Sequence, residues 1–151
     1  MINYEEIDNG IIDLIKLLNY KGFPTIYSCS GLLEDHDDFY DRWEYKKGVG
    51  YICFLPLTFE QEKKIKRFAL SSHLEFYGRE DKYSVPIGKM REHCVYCRDR
   101  KIEIKKIPLY DYRCTIRNVL PTIRKKGITI KYINNVFKRN WDLFKKKIEL
   151  L

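Results

Sequence analysis

Ser28-Cys29-Ser30-Gly31 is the run whose residue types are most specific for chemistry. The two serine hydroxyls can donate and accept, Gly31 admits positive φ, and successive N–H groups in such a turn form a nest suited to phosphate or carboxylate. Cys29 could attack a substrate if a base lay near and its thiol pKa were depressed, and His36 is the one base close to it in sequence. Glu34, Asp35, Asp37 and Asp38 would raise that pKa instead, so Cys29 reads better as a small residue in a pocket wall.

Two further clusters have metal-ligand chemistry. Glu34-Asp35-His36-Asp37-Asp38 offers carboxylates and an imidazole to a divalent cation, but its spacing matches no established loop and charge runs in loops are usually solvated. Cys94 and Cys97 form a CxxC that Cys114 and a histidine could complete into a tetrahedral zinc site. No second CxxC or paired histidine accompanies it, so no metal is expected.

Basic groups dominate the second half of the chain. Arg91, Arg98, Arg100, Lys101, Lys105 and Lys106 straddle Tyr96, and Arg113, Arg117 and Arg124 follow. Guanidinium groups interleaved with aromatic rings suit phosphate clamping and base stacking. The first 60 residues hold five Lys/Arg against eleven Asp/Glu, whereas residues 101–151 hold fourteen against four. An anionic partner is therefore expected, a nucleotide or RNA, with a lysine-rich solvated surface as the plain alternative.

Hydrophobic spacing shows what must position these groups. Asn3-x-x-Glu6 has the form of a capping box, and Ile7, Ile11, Leu14, Ile15 and Leu18 predict a first helix stopped by Gly22 and Pro24. Thr25-Ile26-Tyr27 then reads as a strand delivering residues 28–31 at its C-terminal end, where α/β sheets bind ligands. Residues 32–47, rich in carboxylates and aromatics including Trp43, read as a long loop that closes the pocket. Residues 48–56 read as a buried central strand, Thr58-x-x-Gln61 opens a second helix to about Ser72, and residues 74–77 form a short strand. Residues 79–91 read as a second loop and 93–100 as strand or turn. Residues 101–107 alternate as a half-exposed strand, and Tyr112, Ile116, Val119, Leu120 and Ile123 predict a helix broken by Pro121. Ile133, Phe137, Trp141, Phe144, Ile148 and Leu151 line one face of an amphipathic C-terminal helix.

In residues 8–31 the chain resembles the tRNA wybutosine-synthesis methyltransferase family. That family's pattern, D-x-x-I-x-x-L-I-x-x-L-N followed by T-x-S-S-C-S-G, is met by Asp8, Ile11, Leu14, Ile15, Leu18, Asn19, Thr25, Ser28, Cys29, Ser30 and Gly31, with one gap and with Tyr27 at the first serine. Short proteins of Gram-positive bacteria and their phages look similar over the same run. Leu32 stands where the family usually has arginine. Its later H-V-x-C-R strand is matched either by residues 95–98, with Cys94 at the histidine, or by residues 51–55, without histidine and arginine. The resemblance implies an S-adenosylmethionine or nucleoside-type pocket and, as a further step, methyl transfer to tRNA.

These readings converge on one α/β or α+β domain over residues 1–151, with a mostly buried central sheet covered by helices. Its expected ligand-binding residues are Thr25, Ser28, Cys29, Ser30, Gly31, Asp35, His36, Trp43 and Arg98. Residues Arg91, Arg98, Arg100, Lys105, Arg113, Arg117 and Arg124 are expected to contact phosphate. GxGxxG, GxxxxGK[ST], HExxH and GxSxG are all lacking, which argues against Rossmann methyltransferases, P-loop enzymes, zincins and serine hydrolases. No apolar run is long enough to span a membrane, Met1 leads into no signal peptide, and five cysteines suggest reduced thiols, so a cytoplasmic location is expected. The competing reading is a non-enzymatic phage or mobile-element accessory protein that sequesters a nucleotide signal or inhibits a host nucleic-acid enzyme, with a second copy or a host protein as partner.

Overall fold

The computed structural model describes residues 4–32, 35, 50–78, 90–96, 102–108, 114–119 and 130–151. A 3₁₀ turn (Tyr4–Glu6) leads to helix α1 (Ile12–Tyr20) and strand β1 (Thr25–Cys29). Strand β2 (Gly50–Phe54), helix α2 (Phe59–Leu70) and strand β3 (Glu75–Tyr77) follow, then β4 (Met90–Tyr96), β5 (Ile102–Pro108), β6 (Cys114–Asn118) and helix α3 (Ile130–Glu149). The class is α+β. One sheet has the order β1-β2-β6-β3 with every neighbouring pair antiparallel, and β4 pairs with β5 in a separate antiparallel ladder. Because β2 and β3 both run antiparallel to β6, they are parallel to each other and α2 is the crossover between them.

The first helix starts later than the Asn3 capping box predicts. Its N-cap is Ile11, which makes no side-chain cap bond, and the preceding turn is separate. Asn9 and Gly10 interrupt the run, and a glycine within a helix costs about 1 kcal/mol relative to alanine. The stop is where the glycine predicts it. Phe23 N–H donates to the Leu18 carbonyl (2.9 Å) and Gly22 N–H to that of Asn19 (3.2 Å), a Schellman pair closed by Gly22 at φ 88°. Asn19 then fastens helix to strand: its Nδ2 donates to Thr25 Oγ1 (3.0 Å), and its Oδ1 accepts from Thr25 N–H (3.2 Å). The capping box at α2 is complete, with Gln61 N–H donating to Thr58 Oγ1 (3.2 Å) and Thr58 N–H to Gln61 Oε1 (3.0 Å).

Residues 114–118 correct the helix predicted over 112–123. They form β6, an interior strand paired with β2 on one side and β3 on the other. Cys114, Ile116 and Asn118 are buried and Thr115 and Arg117 half-buried, a period of two that outweighs the helical spacing of Tyr112, Ile116 and Val119. The ladder over Met90–Tyr96 and Ile102–Pro108 makes residues 93–96 of the strand-or-turn stretch a strand and takes in Met90 and Arg91, the last two residues of the predicted 79–91 loop. Residues 33, 34, 36–49, 79–89, 97–101, 109–113 and 120–129, with most of both expected loops, lie outside the described residues.

One core holds these elements together. Ile11, Leu14, Ile15 and Leu18 of the α1 region, Ile65 and Ala69 of α2, and Trp141, Phe144 and Ile148 of α3 pack with Ile52, Phe54, Cys114 and Ile116 of the sheet. Each fully buried large aliphatic or phenylalanine contributes about 1.5–3 kcal/mol. All the sheet residues in this cluster share one face, so the three helices cover that face. On the other face Cys53 packs with Ile26, Tyr27 and Tyr51 in a separate, smaller cluster. Ile26 joins Tyr27 there because the β1–β2 register shifts between Thr25 and Tyr27.

Candidate functional site

The 28–31 run sits where three elements meet: the end of β1, the start of β2 at Gly50, and the α3 helix. Ser30 is fully buried and has partners for each of its polar groups. Its N–H donates to Asp8 Oδ2 (2.8 Å), and its carbonyl accepts from Trp141 Nε1–H (2.9 Å). Its hydroxyl donates to Asp35 Oδ2 (2.5 Å) and accepts from Leu32 N–H (3.1 Å). Asp35 Oδ2 also accepts from Gly10 N–H (3.1 Å). At Ser30, therefore, the amide of the expected anion nest is already turned to a carboxylate of the chain itself.

Gly31 completes the corner. Its φ is 70°, and a Cβ there would lie 2.7 Å from Gly50 N and 2.9 Å from Phe137 Cε2. Only a residue without a side chain allows the β1 end, the β2 start and α3 to approach so closely. A Cβ at Gly50 would in turn meet Trp141 Cζ2 at 2.9 Å.

Beside this corner lies a second buried polar pair. Asn118, at the end of β6 and opposite Gly50, donates from Nδ2 to the Phe137 carbonyl (3.0 Å), and Asn140 Nδ2 donates to Asn118 Oδ1 (3.1 Å). Asn140 Oδ1, 2% exposed as a residue, has no hydrogen-bond partner among the described residues. An acceptor buried in this way costs about 1–3 kcal/mol until a donor reaches it. Asp8, Ser30, Asn118 and Asn140 thus concentrate buried polar groups at one end of an otherwise apolar core. Ser28 and Cys29, the last two residues of β1, are half-buried.

Among the other expected site residues, Thr25 is buried and engaged by Asn19 as described, and Asp35 is half-buried on Ser30. Arg117 belongs to strand β6 and not to a helix. Its guanidinium lies 3.9 Å from Glu75 Oε1 and 5.7 Å from the centre of the Tyr77 ring. Tyr77 hydroxyl donates to Glu75 Oε1 (3.2 Å), and its pKa is raised, by burial first and by the Glu75 charge next, against the opposing pull of Arg117. Cys114 is fully buried among the core residues that face the helices. Arg91, Cys94 and Lys105 have ladder positions on β4 and β5. His36, Trp43, Cys97, Arg98, Arg100, Arg113 and Arg124 lie outside the described residues. Among the described residues no group of three or more His, Cys, Asp or Glu is placed to hold a metal, and no helix is long and apolar enough to cross a membrane.

Sequence reasoning did not single out Asp8, Asn118 or Asn140 as site residues, and it read Trp141 as core. Asp8 carried a usable signal, since it opens the same motif that ends in Ser30. Asn118 and Asn140 stand 22 residues apart, with no pattern to connect them. Comparison with family models, with curated proteins and with solved structures finds no match to this chain.

Proposed function

We propose that this chain is a nucleotide- or RNA-binding protein whose ligand meets the sheet end formed by residues 28–31, Gly50 and Asn118, and that it is related to the wybutosine-type methyltransferases. The observation that carries the reading is the buried polar cluster at that end, with Asn140 Oδ1 an acceptor that has no donor among the described residues. An apolar core tolerates such groups only where hydrogen bonding repays their desolvation, and amino and hydroxyl groups of a nucleoside are suitable donors. The net charge of +8 supports an anionic ligand. S-adenosylmethionine, a nucleoside with both kinds of donor, fits the same chemistry and would supply a methyl group when bound.

A second reading is favoured by Ser30. Its amide, hydroxyl and carbonyl are all taken by Asp8, Asp35, Leu32 and Trp141, so this part of the motif works as scaffold. A non-enzymatic protein that sequesters a nucleotide signal or blocks a host nucleic-acid enzyme needs no more than such a scaffold and a pocket. Incubating S-adenosylmethionine labelled on its methyl group with tRNA and the protein separates the two. Label in tRNA, with S-adenosylhomocysteine released, establishes the enzyme, whereas ligand retained unchanged establishes the binder. Failure to retain nucleotides, S-adenosylmethionine or tRNA removes both.

A further inference from the structure

Positive charge is concentrated on the outward side of the helix layer. Helices α2 and α3 together hold ten Lys/Arg against four Asp/Glu, and one of the four, Glu62, is buried. Helix α1 holds one of each, Lys16 and Asp13, and so do the four strands of the main sheet, with Arg117 and Glu75. The apolar sides of α2 and α3 lie in the core through Ile65, Ala69, Trp141, Phe144 and Ile148, which turns their basic residues away from the sheet. On α3, the exposed residues Lys131, Arg139 and Lys146 stand 8 and then 7 residues apart, so they share one row about 22 Å long. Lys64, Lys131 and Arg139 are exposed and meet no carboxylate among the described residues. Lys146 lies 3.0 Å from Asp142 and Lys63 3.9 Å from Glu60, in exposed pairs that a competing anion can replace at little cost. We infer, resting on the RNA reading proposed above, that this outward side of α2 and α3 is a track for the phosphate backbone of double-helical RNA.

Spacing and side-chain type select the occupant. A stiff row of cations about 22 Å long engages several phosphates of a duplex at once, whereas a mononucleotide spans one or two of them. Single strands are held by rings interleaved with the charges. The exposed apolar residues of the two helices, Phe59, Leu70 and Tyr132, stand singly at helix ends and not within the basic row. A lipid surface needs a continuous apolar face to insert, and the apolar faces of α2 and α3 are already buried in the core. The α3 row also adjoins the polar corner: Arg139 is followed directly by Asn140 and Trp141, which bond to Asn118 and Ser30. A duplex on the row therefore passes about one helix diameter from the 28–31 run.

The test is anisotropy of a labelled RNA duplex with the intact chain over a series of salt concentrations, repeated with a DNA duplex, with oligouridylate, and with protein variants. The triple variant Lys64→Gln, Lys131→Gln and Arg139→Gln should weaken duplex RNA binding about 10-fold or more and lower the slope of log affinity against log salt by about 2–3. Lys16→Gln on α1 removes one charge outside the track and should change affinity less than about 2-fold, with no change of slope. Acylation of lysines by an amine-reactive ester, read by mass spectrometry, should show Lys64, Lys131 and Lys146 protected by the duplex and Lys16 not, which locates the track in the unsubstituted protein. If the RNA duplex binds but the triple variant matches the parent and protection falls elsewhere, the track is overturned and the RNA reading stands. If Lys16→Gln weakens binding as much as Arg139→Gln alone, the charge acts as a diffuse solvated surface and the track is likewise overturned. Equal affinity for the DNA duplex overturns the choice of RNA, and equal affinity for oligouridylate overturns the choice of a double helix. If no polynucleotide binds, the track falls, while retention of a mononucleotide would leave the nucleotide reading intact.

Discussion

The Trp141 indole donates its N–H to the Ser30 carbonyl at 2.9 Å, joining the C-terminal helix to the end of the first strand across 111 residues of chain. Trp141→Phe keeps most of the ring volume but leaves that buried carbonyl without its donor, which should cost about 1–3 kcal/mol. Urea-induced unfolding reads this as a lower midpoint with an unchanged slope. An unaltered midpoint would mean that the bond does not hold the corner.

Asp8 should act on Ser30 as an acceptor and not as a charge. Asp8→Ala leaves the buried Ser30 amide unpaired and should destabilise by about 1–3 kcal/mol, whereas Asp8→Asn retains an acceptor oxygen and should recover most of the loss. Hydrogen exchange at the Ser30 amide checks it residue by residue. Protection should fall in Asp8→Ala and persist in Asp8→Asn.

These two contacts explain how far the sequence could be read. Local signals were legible where one short stretch contains the whole physical cause: the Thr58–Gln61 box, the Gly22 stop, the β1 run and the apolar stripe of α3. The corner itself is assembled from Asp8, Ser30, Asp35, Gly50 and Trp141, whose partnership depends on the tertiary fold. Residues 112–123 misled because Ile116 fits a helical and a strand period alike, and pairing with both β2 and β3 decides between them. The motif that resembles the wybutosine family also has a structural cause. Asp8 binds Ser30, Asn19 binds Thr25 and Gly31 abuts Gly50, so its spacing encodes the joint between α1 and the sheet.

Gly31→Ala tests the joint from the backbone side. A side chain at φ 70° costs about 1–2 kcal/mol, and the added Cβ would stand 2.7 Å from Gly50 N, so one strand must move. Thermal unfolding should show a loss larger than the conformational cost alone. A loss at or below it would show that the corner yields.

Tyr77 gives a pH signature. Burial, with Glu75 beside it, raises the phenol pKa above its ordinary value of 10.0, so the folded chain holds that proton more tightly than the unfolded chain does. Its contribution is complete below pH 10 and declines as the pH rises beyond it. Tyr77→Phe should therefore lose less stability than the parent above pH 10, read as the difference between their urea midpoints. Parallel losses in the two proteins would contradict the assignment.

The central claim is that the polar sheet end receives a nucleotide or RNA. Isothermal titration of the intact protein with tRNA, nucleoside phosphates and S-adenosylmethionine in turn, at low salt, tests it most directly. The account predicts saturable binding of at least one of them, weakened by added salt where the ligand is polyanionic. No saturable heat with any of the three would contradict it.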